Sequence, residues 1–162
     1  MYMSPTFIEN TYSRFGFSSV GTLKTIEFIE FENITTLNDG FLNGCSNLEY
    51  ANFNGFKTIN SIPAGFCANC SKLKTIDISK LDNIIDIGSA FCSACSSLKT
   101  IIFPKLFKKL TYISSAFCAG CTELESIDLT VFSNYNNTYI PEAFLNRCSS
   151  LTSIDLSIFK NV

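Results

Sequence analysis

Apolar positions along this chain fall into a block that returns at a fixed interval. The block reads Leu-x-x-Ile-x-Ile in its clearest form, and it occurs as Leu48-Ala51-Phe53, Leu73-Ile76-Ile78, Leu98-Ile101-Phe103, Leu124-Ile127-Leu129 and Leu151-Ile154-Leu156. Its last four residues alternate between apolar and polar, which is the period of a strand with one buried face. Three residues before each leucine stands a cysteine (Cys45, Cys70, Cys95, Cys121, Cys148), and four before that a phenylalanine (Phe41, Phe66, Phe91, Phe117, Phe144). Four residues earlier again comes Leu37, Ile62, Ile87, Ile113 or Ile140. Successive cysteines are 25, 25, 26 and 27 residues apart. A degenerate unit opens the series: Leu23, Ile26 and Phe28 repeat the strand, with Val20 in the cysteine position and Gly16, beside Phe17, in the phenylalanine position.

A unit this short cannot bury its own apolar face, so neighbouring units must stack and join their equivalent positions into columns. The predicted fold is a repeat solenoid of about six turns, each adding one strand to a parallel sheet at a spacing of about 4.7 to 4.9 Å. Phenylalanine and cysteine four residues apart predict one helical turn with both side chains facing inward. Gly40, Ala64, Gly65, Ala90 and Ala116 precede the phenylalanines, as expected where the backbone turns tightly. Residues 1–22 are expected to form an N-terminal cap and residues 23–162 the solenoid, its last unit incomplete. Ser157 to Val162 repeats the beginning of the segment seen at Ser79 to Ile84 and then stops, so the C-terminal end is expected to be covered by a partner, by self-association or by further chain.

The succession Ile87-Gly88-Ser89-Ala90-Phe91, then Cys95 and Leu98, resembles the BspA-like leucine-rich repeats, also called the Treponema pallidum type. The likeness runs from about residue 23 to residue 157. Gly88 has no counterpart in the neighbouring units, and Cys67, Cys92 and Cys118 are additional to the pattern. The resemblance implies a leucine-rich repeat with a parallel sheet on one face and short helical turns or irregular segments on the other. It also implies non-catalytic adhesion or recognition, at a cell surface or after secretion.

Composition narrows the chemistry further. The 162 residues include no histidine, which removes every Ser-His-Asp, Cys-His and histidine-metal arrangement. Charged residues make up 16%, below the usual share of about 25%, so neutral polar groups must cover much of the surface. The net charge of −2 gives no basic field to attract nucleic acid. The first fifteen residues show neither a basic start nor an apolar stretch of secretory type, and no apolar run is long enough for membrane insertion. No cofactor and no enzyme activity are expected.

The pairs Cys67/Cys70, Cys92/Cys95 and Cys118/Cys121 have a Cys-x-x-Cys spacing. A zinc site needs four ligands converging on one point, whereas stacking spreads these sulfurs along two columns, so buried core thiols are the reading taken. Disulfides between adjacent coils are compatible with the level spacing and stay open as one alternative, with metal or redox chemistry as the other. On the outward face of the strands three columns can be read. The middle one, Thr25, Tyr50, Thr75, Thr100, Ser126 and Ser153, is mostly small hydroxyls. The next holds Glu27, Asn52, Asp77, Ile102, Asp128 and Asp155, alongside an outer column containing Lys74 and Lys99. Tyr50 and Ile102 stand out as apolar anchors on a hydrophilic sheet. Asn52, Asp77, Asp128 and Asp155 are candidate polar contacts, with a solvated acidic stripe as the bland alternative. Tyr135 lies in the lengthened, Asn-rich Ser133 to Tyr139 segment, a candidate binding loop. Asn33 and Asn136 head glycosylation sequons. The function expected is recognition of a protein or glycan through the concave sheet; the alternative is a structural or spacer part of a surface layer, appendage or virion.

Overall fold

The structure is a computed structural model that describes residues 2–3, 16–136 and 138–159. Among the described residues eight strands follow in chain order: β1 (Tyr2–Met3), β2 (Thr25–Phe28), β3 (Tyr50–Asn52), β4 (Ser61–Ile62), β5 (Thr75–Asp77), β6 (Asp86–Ile87), β7 (Thr100–Ile102) and β8 (Tyr112–Ile113). The main sheet has the order β1-β2-β3-β5-β7, and every pairing in it is parallel. Thr25 lies opposite Tyr50, Tyr50 opposite Thr75 and Thr75 opposite Thr100, so one repeat is one rung. The chain is a solenoid of parallel strands, as its periodicity predicts.

Three details differ from the sequence-based expectation. The strand ladder is shorter than six rungs: Ser126 to Asp128 and Ser153 to Asp155 form no strand, while β1, from the segment expected as a cap, adds a rung ahead of β2. About four turns are therefore regular. A second parallel sheet, β4-β6-β8, runs through the column of Ile62, Ile87 and Ile113, which the sequence pattern marks only as an apolar anchor. The stretch between phenylalanine and cysteine is not a helical turn.

Backbone hydrogen bonding explains that last difference. In each of the five full units the residue before the phenylalanine is left-handed, with φ of +67 at Gly40, +63 at Gly65, +55 at Ala90 and Ala116, and +53 at Ala143. So is the residue before the cysteine, at Gly44, Asn69, Ala94, Gly120 and Arg147. This winding points alternate N–H groups at the next coil instead of along a helix axis. Gly40, Leu42 and Gly44 donate to the carbonyls of Ala64, Phe66 and Ala68 at 2.7, 2.8 and 2.8 Å. Cys67 and Asn69, then Cys92 and Ala94, then Cys118 and Gly120 repeat the last two bonds to the following coil. A lone helical turn would leave most of these groups without partners in the stack, so inter-coil bonding prevails over the left-handed penalty of about 1 to 2 kcal/mol per non-glycine residue.

Inside the coils, Phe41, Phe66, Phe91, Phe117 and Phe144 form one stack, with ring centroids 5.9, 5.8, 5.0 and 5.1 Å apart and interplanar angles between 11 and 18°. Cys45, Cys70, Cys95, Cys121 and Cys148 and the leucines Leu48, Leu73, Leu98 and Leu124 are buried beside them, whereas Leu151 in the last coil is only half-buried. Two glycines are required by close approach. A Cβ on Gly55 would lie 2.2 Å from the Phe28 carbonyl oxygen, and one on Gly88 would lie 2.5 Å from the Ala64 nitrogen.

Candidate recognition surface

The outward side chains of β2, β3, β5 and β7 form a continuous, polar, partly charged surface. Lys74 pairs with Glu49 on the previous rung at 2.7 Å, and Lys99 with Glu123 at 3.5 Å. Both pairs are well exposed, so each adds little to stability. Lys74 holds the Glu49 carboxyl below its ordinary range, through its hydrogen bond first and its charge second. Tyr50 is half-buried, and its hydroxyl accepts a hydrogen bond from the Asn52 side-chain amide at 3.3 Å.

The column of Asn52, Asp77, Asp128 and Asp155 has a local task that the sequence pattern did not show. Each side-chain oxygen accepts the backbone N–H two residues on: Asn54 to Asn52 at 2.8 Å, Ser79 to Asp77 at 2.9 Å, Thr130 to Asp128 at 2.9 Å and Ser157 to Asp155 at 2.8 Å. These are Asx turns that end the strand segment. Glu27 and Ile102, the other two members of the column, make no such bond among the described residues, and Ile102 follows the same rule. Ile102 is followed two residues later by Pro104, which has no N–H to satisfy, so the position needs no acceptor and an isoleucine is tolerated there, 40% exposed. The signal was legible, had the residue two positions ahead been read with each column member. Tyr135 does not lie on this surface: it is 3% exposed, and its ring meets Phe159 edge-on at 6.1 Å.

At Ile102 the sheet also changes character. On earlier rungs the residue after the strand donates to the next coil, Phe53 N–H to the Asp77 carbonyl and Ile78 N–H to the Ile102 carbonyl, both at 2.9 Å. The equivalent Phe103 N–H has no partner among the described residues. Coils four and five remain joined on either side, by Glu123 N–H to Ser96 O at 3.1 Å and Phe107 N–H to Val131 O at 3.0 Å. Between those bonds lies an open groove of about 520 Å³, walled by residues 100–105 with Asp128 and Val131 opposite. Ile101, whose counterparts Ile26, Ala51 and Ile76 are fully buried, is here only half-buried.

All eight cysteines are free and buried. Five of them share one role: the thiols of Cys45, Cys70, Cys95, Cys121 and Cys148 donate to the carbonyls of Phe17, Leu42, Cys67, Cys92 and Cys118, at 2.9 to 3.1 Å. Each pins its coil to the carbonyl one residue past the phenylalanine position of the preceding one. Burial pushes the Cys67 thiol up to about 12 and that of Cys148 to about 11, and raises Cys92 and Cys118 as well. Among the described residues no three cysteine, aspartate or glutamate side chains gather where a metal ion could sit. On the coil surface a hydroxyl ladder follows the cysteine column: Ser71 donates to Ser46 O, Ser96 to Ser71 O, Thr122 to Ser96 O and Ser149 to Thr122 O, at 3.1 to 3.5 Å. This is where the neutral polar composition goes, and no reading of the sequence anticipated it.

Repeated parallel rungs, a phenylalanine stack and an exposed sheet face define a leucine-rich repeat scaffold of the kind that serves protein interaction and recognition. The profile of the BspA-type leucine-rich repeat region matches in six copies, over residues 9–87 and 60–161, and the chain belongs to that family. Its fold is similar to that of a leucine-rich repeat protein from Eubacterium ventriosum ATCC 27560, with a TM-score of 0.60 and 20% identity. That likeness covers 86% of this chain and 34% of the other, so this chain spans about a third of its relative's length. The chain matches no curated protein at a significant level.

Proposed function

We propose that this chain is a non-enzymatic recognition module that binds a protein partner through its concave sheet, at the groove beside β7. The observation that carries the reading is the coincidence, at one place, of an exposed Ile102, a half-exposed Ile101 and an unpartnered Phe103 N–H at an open strand edge. An extended segment laid along that edge accepts the free N–H through its own carbonyl and covers the isoleucines with an apolar side chain, the mode in which peptides add a strand to a sheet. A flat polar sheet alone offers no such anchor, and the Asx turns already occupy the carboxylates of its third column. Lys105 and Asp128 at the rim set the charge preference of the residues flanking the apolar one.

The experiment is selection of random extended peptides against the folded chain, followed by binding measurements on variants. Ile102→Asp is expected to weaken the selected peptides at least tenfold with an unchanged melting temperature, and amide protection on binding should centre on Thr100 to Phe103. Peptides that bind equally well to Ile102→Asp, or that map to the turn face, would refute the groove as the site. Failure to select any binder favours the structural or spacer role.

A further inference from the structure

We infer that the segment taken by the β7 groove is acidic: beside its apolar anchor, on the Lys105 side, it carries carboxylates that Lys105 and Lys80 hold. The inference rests on the peptide-binding reading of that groove and names what the groove selects. The chain as a whole is mildly acidic, with a net charge of −2, yet one corner of it is basic. Residues 103–110, which follow β7, read Phe-Pro-Lys-Leu-Phe-Lys-Lys-Leu and hold three lysines and no acid. The matching stretch of the preceding coil, residues 78–85, adds Lys80 and a single carboxylate, Asp82. All four lysines are exposed. Asp82 is already bound by Lys108 at 2.5 Å. Lys80, Lys105 and Lys109 meet no carboxylate among the described residues, whereas Lys57, Lys74 and Lys99 each reach an acid of an adjoining coil.

Placement ties these lysines to the groove. Lys105 is part of its wall. Asp77 lies opposite Ile102 in the strand ladder, and Lys80 and Lys105 each stand three residues past their member of that pair, so they occupy adjacent levels of the stack. Like charges so placed repel, and a carboxylate brought from outside relieves them. Lys80 is also held in position, its backbone N–H donating to the Asn54 side-chain oxygen at 2.9 Å. The other end of the groove is charged differently. Beside Thr100, Lys99 is paired with Glu123, and Glu125 adds an exposed carboxylate one coil on. Asp128, on the opposite wall, spends an oxygen on Thr130, accepting its N–H at 2.9 Å and its hydroxyl at 2.6 Å. The groove thus runs from an acidic end at Thr100 to a basic end at Lys105. An extended segment whose carbonyl meets the Phe103 N–H passes Lys105 two residues further on, about 7 Å along the strand direction. A carboxylate two or three residues from the apolar anchor therefore comes within reach of the lysines, and the gradient orients the segment as it arrives.

The test uses pools of random extended peptides with a central isoleucine, carrying a pair of aspartates, serines or lysines on one side of it, each pool made with the pair before and after the isoleucine. In the better of the two directions the aspartate pool is expected to bind the folded chain about five- to tenfold more tightly than the serine pool, and the lysine pool more weakly than either. Added salt should shrink that advantage, since exposed charges are screened beyond about 10 Å at about 0.1 M ionic strength. Lys80→Glu combined with Lys105→Glu should reverse the order of the pools at an unchanged melting temperature, and Ile102→Asp should weaken all three. Equal binding of the aspartate and serine pools, with both lost in Ile102→Asp, overturns the acidic preference and leaves the groove standing as the site. Aspartate binding that survives Ile102→Asp, or failure of every pool to bind, overturns the groove and this inference with it.

Discussion

A thiol buried at each level of the stack is an unusual choice for a core, and its hydrogen bond gives the reason. A carbonyl that already receives the turn N–H three residues on, as Leu42 O does from Cys45, has a second lone pair, and the next coil's thiol reaches it without introducing a hydroxyl or a charge. Burial raises the titration of Cys67, Cys92, Cys118 and Cys148, which fixes a pH dependence. Burial raises the folded pKa of Cys67 from an ordinary 9.0 to about 12, so its contribution is intact below about 9 and is lost as the pH rises from there towards 12. The urea midpoint is therefore expected to be flat from neutrality to about pH 8.5 and to fall beyond it. Alkylation with iodoacetamide at pH 8 should label none of the eight thiols until urea is added. Rapid labelling of the native chain would show the columns to be open to solvent. The spacing of these residues was legible because identical side chains recur at one interval. The role of Asn52, Asp77, Asp128 and Asp155 was not, because an acidic column looks the same whether it faces a ligand or its own backbone. Gly88 belongs to the same scale. Its missing counterpart in other units had no explanation in the sequence; in the structure its α-carbon passes so near the Ala64 backbone that a methyl group cannot fit. Gly88→Ala is expected to cost about 2 kcal/mol or more in chemical unfolding, since overpacking against backbone forces the coil to shift.

At the scale of elements, the molecule makes little regular structure within any one coil and much between coils. Strands of two to four residues would not persist alone, and they exist because each is a rung in a ladder whose neighbours are one repeat away. The expected helical turn failed on the same ground. A four-residue spacing brings phenylalanine and cysteine to one side in a helix, but it does so equally well in a backbone that alternates into the left-handed region, and only the second arrangement sends N–H groups to the next coil. The pairs Gly40/Gly44 and Ala90/Ala94 carried that signal as a preference for small residues, yet Asn69 and Arg147 at the same positions blurred it. The phenylalanine stack is the apolar counterpart of these ladders. Phe91 lies between Phe66 and Phe117 at 5.8 and 5.0 Å and is fully buried. Phe91→Ala removes both ring contacts and opens a cavity, and is expected to lower unfolding stability by about 3 to 5 kcal/mol. Calorimetry that shows an unchanged melting temperature would contradict a continuous stack.

For the whole molecule, stability in a stack is a sum over coils and the interfaces between them, so a place where one interface loses a ladder should be visible as a gradient. The strand ladder ends at β7, where the step between equivalent positions lengthens from 25 residues, Ile76 to Ile101, to 26, Ile101 to Ile127. The turn-face ladder continues one coil further, through Cys118 and Gly120 to the carbonyls of Phe144 and Asn146. The two faces of coils five and six are thus held unequally. Native-state hydrogen exchange is expected to find the slowest amides at Ala51, Ile76, Cys67 and Cys92. It should find fast exchange at Ser126 to Asp128 and Ser153 to Asp155, and intermediate protection at Cys118 and Gly120. Uniform protection along both faces would mean that the ladders do not set local stability. Leu145 and Arg147 carry N–H groups at the end of the turn-face row that meet no further coil among the described residues, and their exchange should be as fast as that of any turn. The Phe103 amide, at the end of the strand ladder, should exchange equally fast, and a peptide seated at the β7 groove should slow Phe103 while leaving Leu145 and Arg147 unchanged.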